Sequence, residues 1–212
     1  MDARERQAQE SRKEEIVTPE EGLARLREGN ARFLAGEGIE RDLRQEARET
    51  GEGQFPFACV LGCIDSRVPP ELIFDQGIGD LFCVRVAGNI VNEDVLGSME
   101  FACQIAGARL IVVLGHSDCG AVSGAVEGVR LGHLTGTLQA LAPAVEAVVT
   151  QEGARSAQDA AFVQRVTEEN VALALIDIGE RSAVLREMLE TGEISLVGAM
   201  YDVRTGEVTF WD

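Results

Sequence analysis

Two short apolar runs, FACVLGC at 57–63 and RLIVVLGH at 109–116, constrain the fold of this 212-residue chain more than any other feature. The second run is dense in β-branched residues and too short for a buried helix, so both runs predict strands. Apolar residues at nearly every position are typical of parallel strands that helices cover on both faces. The sequence therefore predicts an α/β fold with a mostly parallel central sheet and helices on both faces.

The segments around these runs predict the other elements of such a fold. Thr18, Pro19 and Glu21 are typical of a capped helix start, and Gly36 is expected to end that helix. Asn92 can cap a helix that continues to about Ala106. We expect a strand over 81–87 and further helices over about 120–130, 137–150, 157–177 and 181–191. Residues 37–54 are polar, and their pattern predicts no particular element.

The C-terminal segment predicts a hairpin. The apolar stretches 195–203 and 207–211 flank Arg204–Gly206, a sequence typical of a turn. This hairpin would add one antiparallel edge strand to the sheet. We expect residues 1–17, which are charged and poorly patterned, to form an N-terminal arm able to move, and residues 18–212 to form one domain.

Charge and cysteine usage limit the class of partner and the compartment. A net charge of −17 argues against binding to nucleic acid and against an anionic membrane surface. No run of about 20 apolar residues predicts a transmembrane helix, and the N-terminus has no apolar signal segment. The five cysteines are odd in number and scattered, which favours free thiols in the cytoplasm over a disulfide framework.

Three residues of the types that bind zinc lie where two predicted strands end. Cys63 and His116 fall at the carboxyl ends of the runs, and Cys119 follows three residues later. Parallel strands place such ends at one edge of the sheet, where ligands bind. Two thiolates and an imidazole are a common zinc set, and an open fourth position is typical of catalytic zinc. Gly120 would let the backbone pass close to the ion.

The same residue types also have ordinary structural roles. A lone cysteine in an apolar segment is usually a small buried hydrophobic residue. We interpret Cys59, Cys83 and Cys103 in this way.

Asp65 and Arg67 follow Cys63 at alternate positions and allow several interpretations. They could form a surface salt bridge that contributes little to stability. Beside a metal, the carboxylate could instead orient a metal-bound water or occupy the fourth position itself. Arg67 could hold the carboxylate off the metal through a bidentate pair.

In its motifs the sequence resembles the β-class carbonic anhydrases. The motifs are C-x-D-S-R-V-P from Cys63, R-V-A-G-N at 85–89 and G-H-x-x-C-G at 115–120, and the resemblance covers about residues 18–210. It implies a zinc enzyme that interconverts CO2 and bicarbonate through zinc-bound hydroxide. It also implies an obligate homodimer, often paired into tetramers, with active sites at the dimer interface.

The resemblance also implies roles for individual positions. Cys63, His116 and Cys119 would ligate zinc, and Asp65 and Arg67 would form the catalytic dyad. The remaining positions would contact substrate or line an apolar CO2 pocket, some of them from the neighbouring subunit; they are Gln54, Gly120, Phe82, Ala87 and Phe101.

One subset of that family closes its site by moving the aspartate onto zinc, under control of a noncatalytic bicarbonate site. That site uses a tryptophan three residues before the first cysteine, and here the position is Val60, although Arg85 and Tyr201 match its other members. We therefore expect the open form. Two alternatives stay open: hydrolysis of CS2 or COS on the same zinc site, and a zinc-stabilised module that is not an enzyme.

Overall fold

The computed structural model describes residues 17–152 and 156–211, so residues 1–16 of the expected arm lie outside the described residues. A five-stranded sheet has the strand order β2–β1–β3–β4–β5. The first four strands in that order pair in parallel, and β4 pairs with β5 in an antiparallel manner, as predicted. The strands are β1 Ala58–Gly62, β2 Leu81–Arg85, β3 Leu110–His116, β4 Ser195–Tyr201 and β5 Val208–Phe210.

Helices connect these strands. In chain order the α-helices of the described residues are α1 Pro19–Ala35, α2 Leu43–Glu49, α3 Pro70–Ile73, α4 Glu93–Glu100, α5 Gly120–Glu127, α6 Leu134–Gln139, α7 Ala142–Glu152, α8 Ala160–Arg181 and α9 Ala183–Glu190. A 3₁₀ turn covers Ala87–Asn89, and a π-helical turn covers Phe101–Ile105. None of the described helices combines the length and the apolarity that crossing a membrane requires.

The central strand β3 is buried on both faces, as its composition predicts. Ile111 and Val113 join an apolar cluster with residues of α4, α8 and α9. Leu110, Val112 and Leu114 point to the opposite cluster, which includes residues of α1 and α3. A third cluster, formed mainly by α5–α8, contains Cys63 and Cys119 and lies beyond the carboxyl ends of β1 and β3. The core thus surrounds the place where the candidate ligands were predicted.

Helix α1 begins and ends at the predicted residues. The Thr18 side chain accepts a hydrogen bond from the Glu21 N–H, and the Glu21 carboxylate accepts one from the Thr18 N–H. Gly36 ends the helix in the left-handed conformation, with φ of 70°. Buried Asn30 then connects α1 to α3 and to the β4–β5 turn, because its amide donates to the carbonyl oxygens of Ile73 and Gly206.

Three local predictions differ from the structure. The helix expected over 137–150 is divided into α6 and α7, because Pro143 has no N–H to continue a helix from α6. The helix after Asn92 reaches the expected region but ends in the π-helical turn, in which the Ala106 N–H bonds to the Phe101 carbonyl. Within 37–54 the chain forms α2, which has no buried residue and therefore no apolar pattern to reveal it.

The packing of α1 gives a stability prediction. A Cβ at Gly29 would overlap the carbonyl oxygen of Phe74, and backbone cannot move aside as a side chain can. We expect Gly29→Ala to lower the free energy of unfolding by about 1–3 kcal/mol. Gly179→Ala is the matched control, because a Cβ there meets no atom within 4 Å. That helical substitution should stabilise by about 0.5–1 kcal/mol. Denaturant unfolding measures both, and equal effects would contradict the packing argument.

Candidate metal centre

Cys63, His116 and Cys119 converge at the carboxyl edge of the sheet. Their potential ligand atoms all lie within 4.8 Å of one another, and all three residues are buried. Cys63 directly follows β1 and His116 is the last residue of β3, the parallel neighbour of β1. Cys119 directly precedes the first residue of α5. Two strand ends and one helix start therefore bring the three predicted ligands together.

The His116 ring is oriented so that one nitrogen remains available. Its Nδ1 lies 2.9 Å from the Ser117 carbonyl oxygen, which favours the tautomer protonated on Nδ1. Its Nε2 is buried and has no hydrogen-bond partner among the described residues. A buried polar atom without a partner is costly. A metal ion would satisfy Nε2, and a backbone carbonyl on the other nitrogen is the usual support of a ligating histidine. The residues thus fit a zinc ion.

The two thiols share a hydrogen bond that separates their pKa values. The hydrogen bond from Cys119 lowers the pKa of Cys63, whereas burial raises it. Contacts with the His116 ring and the Gly88 N–H also lower this pKa. The same hydrogen bond and burial raise the pKa of Cys119. The pair therefore loses a first proton easily and resists losing the second. A divalent cation would remove this resistance, because metal binding drives thiols to the thiolate form.

Two residues that were assigned no role at the metal centre form hydrogen bonds to Cys63 or to the loop that follows it. Arg85 donates to the carbonyl oxygens of Cys63, at 2.9 Å, and of Asp65, at 2.6 Å. Gly88 donates its N–H to the Cys63 sulfur at 3.3 Å. The resemblance linked Arg85 only to a bicarbonate pocket. The signal for Gly88 was its place in the R-V-A-G-N motif, but the sequence does not show what its N–H contacts.

Asp65 and Arg67 form the bidentate pair that was considered. Arg67 Nε lies 2.9 Å from Asp65 Oδ1, and an Arg67 terminal nitrogen lies 2.8 Å from Oδ2. The same terminal nitrogen donates to the Asp118 carbonyl at 3.2 Å, which ties the pair to the loop between His116 and Cys119. The hydrogen bond from the Arg67 side chain lowers the pKa of Asp65 to about 2. Asp65 is therefore ionised near neutrality, and it is not a member of the three-residue group.

Of the predicted substrate residues, Ala87 and Gly120 lie beside this centre. With Cys63 and Asp65 they line a concavity of about 430 Å³ whose other walls are largely apolar. A Cβ on Gly120 would meet no atom within 4 Å, so packing within the chain does not require glycine there. The space in front of Gly120 belongs to the concavity.

Phe82, Phe101 and Gln54 lie elsewhere in the chain. Phe82 and Phe101 stand edge to face, with ring centroids 6.2 Å apart, and line a second concavity beside the edge strand β2. Gln54 is exposed in the loop before β1 and is not among the residues that line either concavity. One chain by itself therefore brings together the predicted ligands, the dyad, Ala87 and Gly120, but not these three side chains.

The parallel sheet and the buried Cys–His–Cys group define an α/β protein with a candidate transition-metal site. The sequence model of the family described as carbonic anhydrase matches residues 58–208. The chain belongs to the carbonic anhydrase family, and the structures that it resembles are of the β class.

Relatives and solved structures agree with this assignment. Carbonic anhydrase 2 of Mycobacterium tuberculosis is 38% identical over 193 residues, which cover 88% of this chain and 90% of that relative. The carbonic anhydrase of Mycolicibacterium smegmatis is 36% identical over 189 residues, covering 86% and 88%. Among structures, the β-carbonic anhydrase CafA of Aspergillus fumigatus has a TM-score of 0.70 at 31% identity, covering 79% of this chain and 83% of that chain.

The cysteine geometry gives a prediction about metal content. Cys63→Ala removes one of three ligand atoms that lie within 4.8 Å of one another. We expect zinc to fall from about one ion per chain to a small fraction, because three protein ligands are the usual minimum of catalytic zinc sites. Elemental analysis of the purified, dialysed protein measures this. Cys103→Ala, at a buried cysteine of a different cluster, is the control and should keep its zinc. Full zinc in Cys63→Ala would contradict the assignment.

Proposed function

We propose that the chain catalyses the reversible hydration of CO2 to bicarbonate and a proton, with one zinc ion held by Cys63, His116 and Cys119. The observation that carries this proposal is the convergence of the His116 ring and two cysteine sulfurs, whose ligand atoms lie within 4.8 Å of one another, with the buried Nε2 of that ring unpartnered among the described residues. CO2 hydration is the general reaction of the family to which the chain belongs. Three protein ligands leave a tetrahedral zinc site one open position for chemistry.

The dyad has the charge and position to orient the nucleophile. Zinc bound there would supply Lewis acidity, which lowers the pKa of water to about 7. Asp65 remains ionised because Arg67 lowers its pKa to about 2, so its carboxylate accepts a hydrogen bond and orients the water that attacks CO2. Arg67 binds both carboxylate oxygens and so holds Asp65 away from the ligand sulfurs. This arrangement supports the open form of the site.

The concavity next to the centre has the character that CO2 requires. CO2 carries no net charge, and an apolar wall excludes the water that would compete for its place. Val129, Leu134 and Leu138 line this concavity together with Asp65. Gly120 leaves space in this concavity, because it carries no side chain and no atom lies within 4 Å of where its Cβ would be.

We propose that the active protein is a homodimer that completes the site. β2 is an edge strand of the sheet of the described residues, and Phe101 beside it is 51% exposed. Phe82, Phe101 and Gln54 do not reach the centre of their own chain. A second copy at this edge could supply them to the site. Two β-carbonic anhydrases of Sordaria macrospora, which share this fold, are tetrameric.

The cysteines support a cytoplasmic location. All five are free. Thiolate ligands must stay reduced to bind zinc, and the cytoplasm maintains thiols in that state.

The role of Asp65 predicts a loss of activity without a loss of metal. Asp65→Asn keeps the size of the side chain but removes the charge, so hydration should fall by about 100-fold or more while zinc content is unchanged. Stopped-flow CO2 hydration and elemental analysis measure the two quantities. Asp177→Asn is the control, because Asp177 forms a similar ion pair with Arg181 on the surface of α8. Near-full hydration by Asp65→Asn would exclude the proposed role.

The dimer proposal predicts that a charge at the β2 edge separates the subunits. Phe101→Glu places a carboxylate on a side chain that is half-exposed in one chain and that would be covered in the dimer. We expect the variant to be a folded monomer with little hydration activity. Light scattering after size exclusion gives the mass. A dimeric Phe101→Glu variant with full activity would place the interface elsewhere.

A further inference from the structure

A short chain of hydrogen bonds connects helix α8 to the Cys63 sulfur. The Asn170 side-chain amide donates to the Gly88 carbonyl oxygen at 3.0 Å. Gly88 in turn donates its N–H to Cys63 Sγ at 3.3 Å. All three residues are buried, and Asn170 is only 6% exposed. The side chain of a distant helix thus acts on a candidate ligand through a single glycine.

Gly88 needs such a restraint because its backbone is of the most permissive kind. It has φ of 70° and ψ of 19°, the left-handed conformation that glycine adopts readily and leaves readily. A Cβ there would lie 2.9 Å from Leu141 Cδ1, so a stiffer residue does not fit without movement. The hydrogen bond from Asn170 holds the carbonyl of Gly88 on one peptide unit, and the N–H on the preceding unit faces Cys63, so the two bonds together restrain the φ and ψ of Gly88.

Asn170 lies in surroundings where its amide must be bonded. Its neighbours Val166 and Val171 on α8 are fully buried. Asparagine is among the weaker helix formers, so this position is not explained by helix propensity. In an apolar environment a satisfied amide hydrogen bond is strong, and an unsatisfied one is costly. Asn170 is therefore suited to holding a backbone group in one place.

We propose that Asn170 is a positioning residue of the metal centre, which fixes the Gly88 N–H on the Cys63 sulfur and so orients that sulfur for zinc. The proposal rests on the zinc site of the proposed function and deepens it. Arg85 also restrains Cys63, because it donates to the Cys63 carbonyl oxygen. Together the two contacts fix both the backbone and the sulfur of this ligand. Such outer contacts are typically worth 10- to 100-fold in metal affinity.

The test compares zinc affinities on the full chain. Asn170→Ala removes the amide, and Asn170→Leu replaces it by an apolar group of similar size, so that one variant is available if the other does not fold. Competition with a chromophoric chelator should give a zinc dissociation constant about 10-fold higher than that of the wild type. Thr167→Val is the control, since Thr167 lies on the same helix, is buried, and donates its side-chain hydroxyl to the Val163 carbonyl oxygen of that helix. It should bind zinc as the wild type does.

A spectroscopic readout separates positioning from general destabilisation. In the cobalt-substituted protein, weakening the hydrogen bond from the Gly88 N–H to Cys63 Sγ should raise the energy of the sulfur lone-pair orbitals of the thiolate. The sulfur-to-cobalt absorption band should then move to lower energy in the Asn170 variants but not in Thr167→Val. Unchanged zinc affinity in a folded Asn170 variant would overturn the positioning role alone. Equal losses in Thr167→Val would do the same. Failure of the wild type to bind zinc would overturn the proposed function and this role with it.

Discussion

The parallel pairing of β1 with β3 is the contact on which the whole site depends. Its register aligns Ala58 with Leu110 and Leu61 with Val113, so the two strands end side by side. Strand pairing therefore brings Cys63 and His116 together, although they are far apart in the sequence. Since side chains alternate along a strand, a slip of one residue would exchange the side chains that the two apolar clusters receive from β3. The buried core on both faces of the sheet thus fixes the geometry of the candidate metal ligands.

Two arginines form hydrogen bonds to the loops that follow β1 and β3. Arg85 bonds to the backbone of Cys63 and Asp65, and Arg67 bonds to the Asp65 carboxylate and to the backbone of Asp118. The loops after β1 and β3 are thereby connected across the mouth of the site. A carboxylate in a fixed, ionised state beside a buried thiol pair is the electrostatic arrangement that the proposed reaction needs.

Local chemistry explains what could be predicted from the sequence. The strands were evident because buried parallel strands are apolar throughout, and α1 was evident because Thr18, Glu21 and Gly36 satisfy its ends. The ligand set followed from residue types at two strand ends. The link from Asn170 to Gly88 could not be predicted, because it joins residues 82 positions apart and has no periodic pattern. Gln54, Phe82 and Phe101 keep only the roles that family resemblance implies, since a single chain does not bring them to the centre.

The third apolar cluster has a consequence for how the protein acquires its metal. Val122, Leu141 and Phe162 pack around Cys63 and Cys119 through contacts that need no ion. In small zinc modules the ion supplies the folding free energy, and chelation unfolds them. Here apolar packing stabilises the sheet and its helices, and these elements position the candidate ligands. Under the proposed function, a metal-free chain would be folded but inactive, so the supply of zinc, and not the success of folding, would set how much of the protein works.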